Sequence, residues 1–190
     1  MEGLLNVFTA FGLSTSAGLN AYLPLLVVAL LARFTDLITL TSPWDTLESW
    51  WVIGVLAVLL VIELLADKIP AVDTVNDTIQ TFIRPAAGAI LFAASSGIIS
   101  DASPVLAMVC GLLISGGVHA AKATARPIVT GTTAGTLNPV VSTIEDIVSL
   151  VLTILAIVVP ILALVLLAII IIWFIRWRRR RRERWSHADW

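Results

Sequence analysis

Between Glu63 and Pro85 the chain reads ELLADKIPAVDTVNDTIQTFIRP, which sets Glu63, Asp67, Lys68, Asp73, Asp77 and Arg84 between two strongly apolar segments. An unpaired carboxylate is costly to bury, so residues of this kind either face water or face partners, and within a bilayer they mark a pathway. Asp73 and Asp77 stand four apart, which puts both carboxylates on one helical face with Thr74 and Thr81 beside them. Glu63 and Asp67 repeat that spacing at the end of the preceding apolar run. The chain therefore offers two acidic pairs joined by a turn at Lys68 to Pro70.

The surroundings decide what such charge can do. Of the 190 residues, 58% are hydrophobic and only 13% charged. That is the balance of an integral membrane protein rather than a soluble domain. Residues 1–175 hold 5 Lys/Arg against 11 Asp/Glu, whereas 176–190 hold 7 Arg against 2 acids. The first range reads as a transmembrane domain and the second as a basic tail. Basic residues that directly follow a span stay on the cytoplasmic side, so RWRRRRRERW places the C-terminus in the cytoplasm. Each such residue near a membrane surface is worth about 1 kcal/mol against anionic lipid. Lipid head groups, not nucleic acid, are therefore the expected partner of the tail. Trp173, Trp177, Trp185 and Trp190 fit an interfacial belt at the same end. Cys110 stands alone in an apolar run and reads as a small core residue. Glu2 occupies the place of a basic leader, so the first apolar stretch reads as a helix and not a cleaved signal peptide.

Taken in order, Leu4 to Phe34 is long enough to span a hydrocarbon core and is interrupted by GLSTSAGLNAY, with a kink expected at Pro24. Thr35 to Ser49 is polar and reads as a loop with an interfacial turn near Trp44, Trp50 and Trp51. Trp50 to Ala66 forms the next span. Pro70 to Ile83 is an amphipathic helix, with Pro70 in its first turn, and Pro85 to Ile99 a separate short apolar element. Pro104 to Ala121 spans again. The Gly, Pro and Thr residues of KATARPIVTGTTAGTLNP then exclude a regular helix. Val140 to Ile175 is one very long apolar element that must tilt, begin outside the core or break near Pro160.

Two matches in the same order indicate an internal repeat. GLSTSAGLNA at Gly12 to Ala21 lies over GLLISGGVHA at Gly111 to Ala120, and PAVDTVND at Pro70 to Asp77 lies over PVVSTIED at Pro139 to Asp146. Matched Pro, Thr and Asp are not explained by shared hydrophobicity. The halves run over residues 5–100 and 104–175. Each supplies a small-residue helix with a polar pair, Ser16/Asn20 or Ser115/His119, and a helix opening at Pro with a second pair, Asp73/Asp77 or Ser142/Asp146. Two such halves can enclose one polar centre, a plan common among transporters. The second half lacks a counterpart of Trp50 to Ala66, and whether the copies are inverted or parallel stays open.

The combination SAGLNAYLPLL, ELLADKIPAVDTVNDTIQTFIRPAAGA and NPVVSTIEDIVS resembles a widespread bacterial family of small membrane proteins known only as a domain of unknown function. The likeness covers residues 5–165 and leaves the arginine tail outside. It implies a multi-span protein of the bacterial inner membrane and carries no substrate or reaction.

Three readings of the acids stand side by side, structural pairing being the third. Glu63, Asp67, Asp73, Asp77, Glu145 and Asp146 bind a cation or relay protons, since clustered acids raise one another's affinity for protons. Alternatively, Pro70 to Ile83 lies on the membrane surface with its acids in water. His119, four residues after Ser115, is either a proton switch or a hydrogen-bonding residue of helix packing. Lys122 and Arg126 with the Thr/Gly-rich segment, and Arg84, are candidates to hold an anion. No nucleotide-binding Gly-Lys-Ser/Thr loop, serine-nucleophile elbow, His-Glu-x-x-His or Cys cluster occurs, so neither an enzyme nor a cofactor or metal site is expected.

The expectation is an all-α polytopic transmembrane bundle of about five spans with a degenerate repeat and broken or re-entrant polar segments. Its expected activity is transport or channelling of a cation or a proton-coupled small solute. The remaining classes are a lipid-binding or scaffold subunit and an intramembrane enzyme on lipid-linked substrates. So few helices enclose only a shallow vestibule, which favours a homo-oligomer.

Overall fold

The computed structural model describes residues 2–67 and 70–159, with the side chains at 2, 70, 71, 73–75 and 98 outside that description. The expectations for Asp73, for the run past Val159 with its break near Pro160, and for the arginine tail with its tryptophans fall beyond those limits. Residues Met1–Ala156 form one compact unit, and Ile157–Trp190 belong to a second that lies almost wholly beyond the described residues.

Every regular element among the described residues is helical: α1 (Glu2–Leu19), α2 (Tyr22–Phe34), a 3-10 turn (Trp44–Glu48), α3 (Trp50–Ala66), α4 (Pro70–Ser95), α5 (Ile98–Ala102), α6 (Pro104–Thr133) and α7 (Asn138–Val159). The all-α expectation holds, and α3 begins and ends where its apolar run does. Its first turn is capped by Ser49, whose hydroxyl accepts from the Val52 amide.

Three boundaries differ from the expectation, each for a physical reason. Leu4 to Phe34 is two helices, broken at Asn20 and Ala21 rather than bent at Pro24. The Asn20 side-chain oxygen accepts from the Leu23 amide at 2.9 Å and so starts α2 afresh. Pro24 falls in that first turn, where a missing amide costs nothing. Next, α4 continues through Pro85, which the residues alone had marked as a boundary. Gly116 of α6 leaves room for the proline ring, and the Ser115 hydroxyl donates to the Arg84 carbonyl at 2.7 Å. A neighbouring helix thus supports the weakened turn. Finally, α6 runs past Pro127 to Thr133. Threonine hydroxyls at 124, 132 and 133 bond back to carbonyls of their own helix. The helix stops only where Ala134 and Gly135 take positive φ of 50° and 79°.

Contacts order the helices. Asn6 lies by Gly97, the rings of Phe11 and Phe92 meet edge to face 5.2 Å apart, and Ser14 Oγ donates to Gly88 O at 2.9 Å. Hence α1 and α4 are antiparallel. Gly111 against Gly88, Ser115 against Arg84 and Arg126 against Asp77 make α6 antiparallel to α4 as well. In turn α7 opposes α1, through Gly12/Ala156, Ser16/Thr153 and Asn20/Asp146, and opposes α6, through Lys122/Glu145 and Thr130/Asn138. So α1 and α6 point one way, and α4 and α7 the other.

Beside these four helices, α2 turns back. Tyr22 interacts with Gln80 and Glu63, while at the start of α3 Arg33 lies over the Trp50 ring and Phe34 meets that ring edge to face. Trp44, between them, packs on the cluster of Ala10, Phe92, Ala93 and Ala107. Cys110 borders the same cluster and is half-buried. From there α3 packs on α2 and at its C-terminal end meets α4, where Glu63 faces Arg84 and Asp67 faces Asn76.

Polar and apolar side chains are distributed inside out. Glu63, Asp67, Gln80 and Arg84 are at most 1% exposed, whereas Trp51, Phe82, Val105 and Ile128 are 69–83% exposed. Two helices, α6 and α7, are long and apolar enough to cross a membrane.

Close approach of α4 and α6 depends on glycine. A Cβ at Gly111 would overlap the Gly88 carbonyl and the Phe92 side chain, while one at Gly117 meets nothing. Gly111→Ala should therefore lower stability by about 1–3 kcal/mol, and Gly117→Ala should raise it by roughly 0.5–1 kcal/mol. Denaturant unfolding in detergent reads both; equal effects would contradict the packing.

Candidate functional site

The charged residues of α3, α4, α6 and α7 meet in one interior network. At its centre Arg84, fully buried on α4, donates from Nη2 to Glu63 Oε1 at 3.1 Å and from Nη1 to His119 Nδ1 at 3.2 Å. The same Nη1 stands 4.0 Å from Asp77 Oδ1. Because His119 accepts at Nδ1, its ring proton sits on Nε2, where it faces Thr81 Oγ1 at 3.1 Å. The Thr81 hydroxyl in turn donates to the Asp77 backbone carbonyl at 2.9 Å.

Arg126, one turn beyond Lys122 on α6, forks between two helices. Nη1 reaches Asp77 Oδ2 at 2.6 Å and Nη2 reaches Glu145 Oε2 at 3.3 Å, with Asp67 Oδ2 3.9 Å away. Lys122 pairs with Glu145 at 2.8 Å and donates to the Leu19 carbonyl at 3.2 Å, where a cation also complements the C-terminus of α1. Asp67 accepts from Asn76 Nδ2 at 3.0 Å and from Ser142 Oγ at 2.5 Å. To one side, Asn20 Nδ2 donates to Asp146 Oδ1 at 3.0 Å.

A cleft of about 610 Å³ leads to this network between α4, α6 and the start of α7. Its polar lining comprises Asp77, Thr78, Thr81, Arg126, Thr130 and Asn138. Asp77, at 21% side-chain exposure, and Arg126 both line the cleft and belong to the network behind it.

A family model for a domain of unknown function, DUF4126, matches residues 7–180. The chain belongs to that family. The match extends past residue 165, the limit of the resemblance read from the residues, into the arginine tail. No curated protein and no solved structure matches the chain.

In this DUF4126 chain the structure brings Glu63, Asp67, Asp77, Arg84, His119, Lys122, Arg126, Ser142 and Glu145 into one assembly, with Asn20 and Asp146 adjoining it. The three bases raised as anion contacts turn toward protein carboxylates. Ser16 and Ser115 lie elsewhere, at helix crossings. The Ser16 hydroxyl is 2.7 Å from Thr153 Oγ1 and bonds the Ser149 carbonyl, as Ser115 bonds the Arg84 carbonyl. Carrying the second sequence match onward in register pairs Thr153 with Arg84, so these two crossings occupy corresponding places.

Reasoning from residues alone missed Tyr22, Asn76, Gln80 and Asn138. Gln80 was legible, because Asp77, Gln80, Thr81 and Arg84 repeat at the three- and four-residue spacing of one helical face. Asn76 and Tyr22 join only through tertiary contact.

Removing one partner of a buried ion pair leaves an uncompensated charge and costs about 3–5 kcal/mol. Arg126→Met should show a loss of that size in unfolding experiments. Arg126→Lys, which keeps the charge without the fork, should recover part of it. A loss under roughly 1 kcal/mol for Arg126→Met, the value of an exposed pair, would place Arg126 in solvent.

Proposed function

We propose that the protein is a bilayer-embedded transporter or channel for a small cation or a proton-coupled small solute, with its route running through the cleft to Asp77 and the charges behind it. One observation carries the reading: a cleft of about 610 Å³ ends on Asp77 and Arg126, which belong to an ionic network joining four helices. Ionisable groups are rarely kept in a membrane interior without a task. The inside-out distribution of side chains supports the membrane setting, since apolar surface on α3, α6 and α7 suits lipid while polar groups seek one another within.

In this reading α3, α4, α6 and α7 cross the bilayer, and α1 with α2 forms a broken, re-entrant pair, so that about four spans replace the five expected. The common direction of α1 with α6, and of α4 with α7, favours a parallel duplication over an inverted one. The insertion of Thr35 to Ala66 in the first half then delivers Glu63, with Asp67 just behind it. A cytoplasmic C-terminus in the bacterial inner membrane, contact of the tail with anionic lipid and self-association complete the proposal.

Among the described residues, Arg126 lies within 4.0 Å of three carboxylates, so a change of partner needs only a small movement. Such exchange between discrete pairings is the kind of two-state element that can alternate a site between faces. A non-transporting scaffold is the second reading, favoured by the pairing of Arg84, Lys122 and Arg126 with carboxylates already in place.

Vesicles reconstituted with the protein and loaded with dyes selective for H⁺, Na⁺ or K⁺ should report flux of one of these ions under an imposed gradient. Asp77→Asn should cut that flux at least about tenfold, equivalent to 1.4 kcal/mol, and should destabilise less than Arg126→Met, because Asp77 is 21% exposed and Arg126 retains Glu145. Equal flux in the variant would remove Asp77 from the route. No flux from the wild-type protein would favour the scaffold.

A further inference from the structure

Hydrogen-bond accounting around Arg84 leaves a specific deficit. Glu63 Oε2, Asp77 Oδ1 and Gln80 Oε1 are buried acceptors without a donor, and Arg84 Nε is a buried donor without an acceptor. Glu63 and Gln80 are each 1% exposed, so bulk water does not make up the difference. Buried polar groups are seldom left so, and each one costs about 1–3 kcal/mol. Gln80 and Arg84 lie one turn apart on the face of α4 that meets Glu63, so the orphaned groups share one corner of the bundle.

Charge counting points to the same corner. In the ionic network, among the described residues, the four carboxylates Glu63, Asp67, Asp77 and Glu145 face the three cations Arg84, Lys122 and Arg126. His119 accepts from Arg84 and contributes no charge in that arrangement. Among these seven described groups one carboxylate is in excess.

Donor supply identifies which. Asp67 accepts from Asn76 and Ser142 and Glu145 from Lys122 and Arg126, while Asp77, whose Oδ1 also lacks a donor, holds Arg126 at 2.6 Å and keeps 21% side-chain exposure. Glu63 receives a single bond, from Arg84 to Oε1, and nothing at Oε2.

We propose that Glu63 carries an exchangeable proton on Oε2, with Gln80 and Arg84 as its positioning partners, so that this corner is a proton-binding site. On uptake, a lone pair of Oε2 forms the O–H bond, the carboxylate becomes a neutral acid, and Oε2 turns from orphaned acceptor into donor. Release reverses the step. Arg84 holds the carboxyl by Oε1 in either state.

The groups facing Glu63 are Arg84 from α4, Lys122 from α6, Tyr22 from α2 and Asp67 on its own helix. Asp77 acts on it through Arg84 and borders the cleft, which gives the proton a way to exchange with water. A proton suits the corner better than a metal, because no group of three or more His, Cys, Asp or Glu among the described residues is arranged to hold one. The site deepens the transport reading and rests on it only for its purpose, proton coupling.

Infrared spectroscopy of the full-length protein in lipid tests this directly. The wild type at neutral pH should show a protonated-carboxyl band that shifts in D₂O, falls on alkaline titration, and is missing from Glu63→Gln. Glu63→Gln is a neutral near-isostere of the protonated acid, so its unfolding temperature should equal that of the wild type. A spectrum unchanged by Glu63→Gln overturns the proposal, with ordered water as the remedy for the orphaned atoms. Collapse of that variant would equally show that Arg84 needs an ionised Glu63. The band is read without a gradient, so a protein that shows it yet moves no ion retains the site and loses the transport reading.

Discussion

Charge buried among helices must be paired, and most of this architecture can be read as the means of pairing it. Arg84, Lys122 and Arg126 sit where water is scarce, and each finds a carboxylate on another helix. Such pairs gain little net stability over apolar packing, because desolvation offsets much of the attraction. What they impose is position. Lys122 and Arg126 reach Glu145 together only if the residues between them remain helical, and Arg84 reaches Glu63 only if the turn at Pro85 does not swing away. The two proline-containing helices therefore stay continuous where local preference alone would end them.

A second constraint is distance. Ion pairs of about 3 Å between helices require backbones that approach closely, and Gly88, Gly111 and Ser115 supply that approach. Ser16 does the same between α1 and α7 with its hydroxyl among Ser149 and Thr153. The corresponding crossings of α1 with α7 and α6 with α4 explain why the small-residue segments resemble one another. The two matched segments differ most at Asn20 and His119. Asn20 ends one helix and starts the next, and the chain reverses; His119 bonds outward to Arg84 and Thr81, and α6 continues.

The helical class, the limits of α3, the matched segments and nearly all the charged members of the network were legible in the residues, because periodicity and the cost of charge are local properties of a chain. Pairing was not. Nothing in the spacing of Lys122 and Arg126 distinguishes a cradle for an anion from a fork toward Asp77 and Glu145, since partner choice depends on how α4 and α7 are laid against α6. The prolines misled for the same reason: a missing amide weakens a helix by a fixed amount, and tertiary contacts decide whether it breaks. Gln80 is visible in the spacing of that face, but a neutral amide carries no charge whose burial cost would single it out.

If interior pairing governs the fold, Lys122 and Glu145 must be coupled in energy and not merely adjacent. A double-mutant cycle with Lys122→Met and Glu145→Gln, read out by unfolding in detergent, measures that coupling. An interaction energy above about 1 kcal/mol is expected, within the range for residues sharing a network. Additivity to within roughly 0.3 kcal/mol, as for independent sites, would contradict the account.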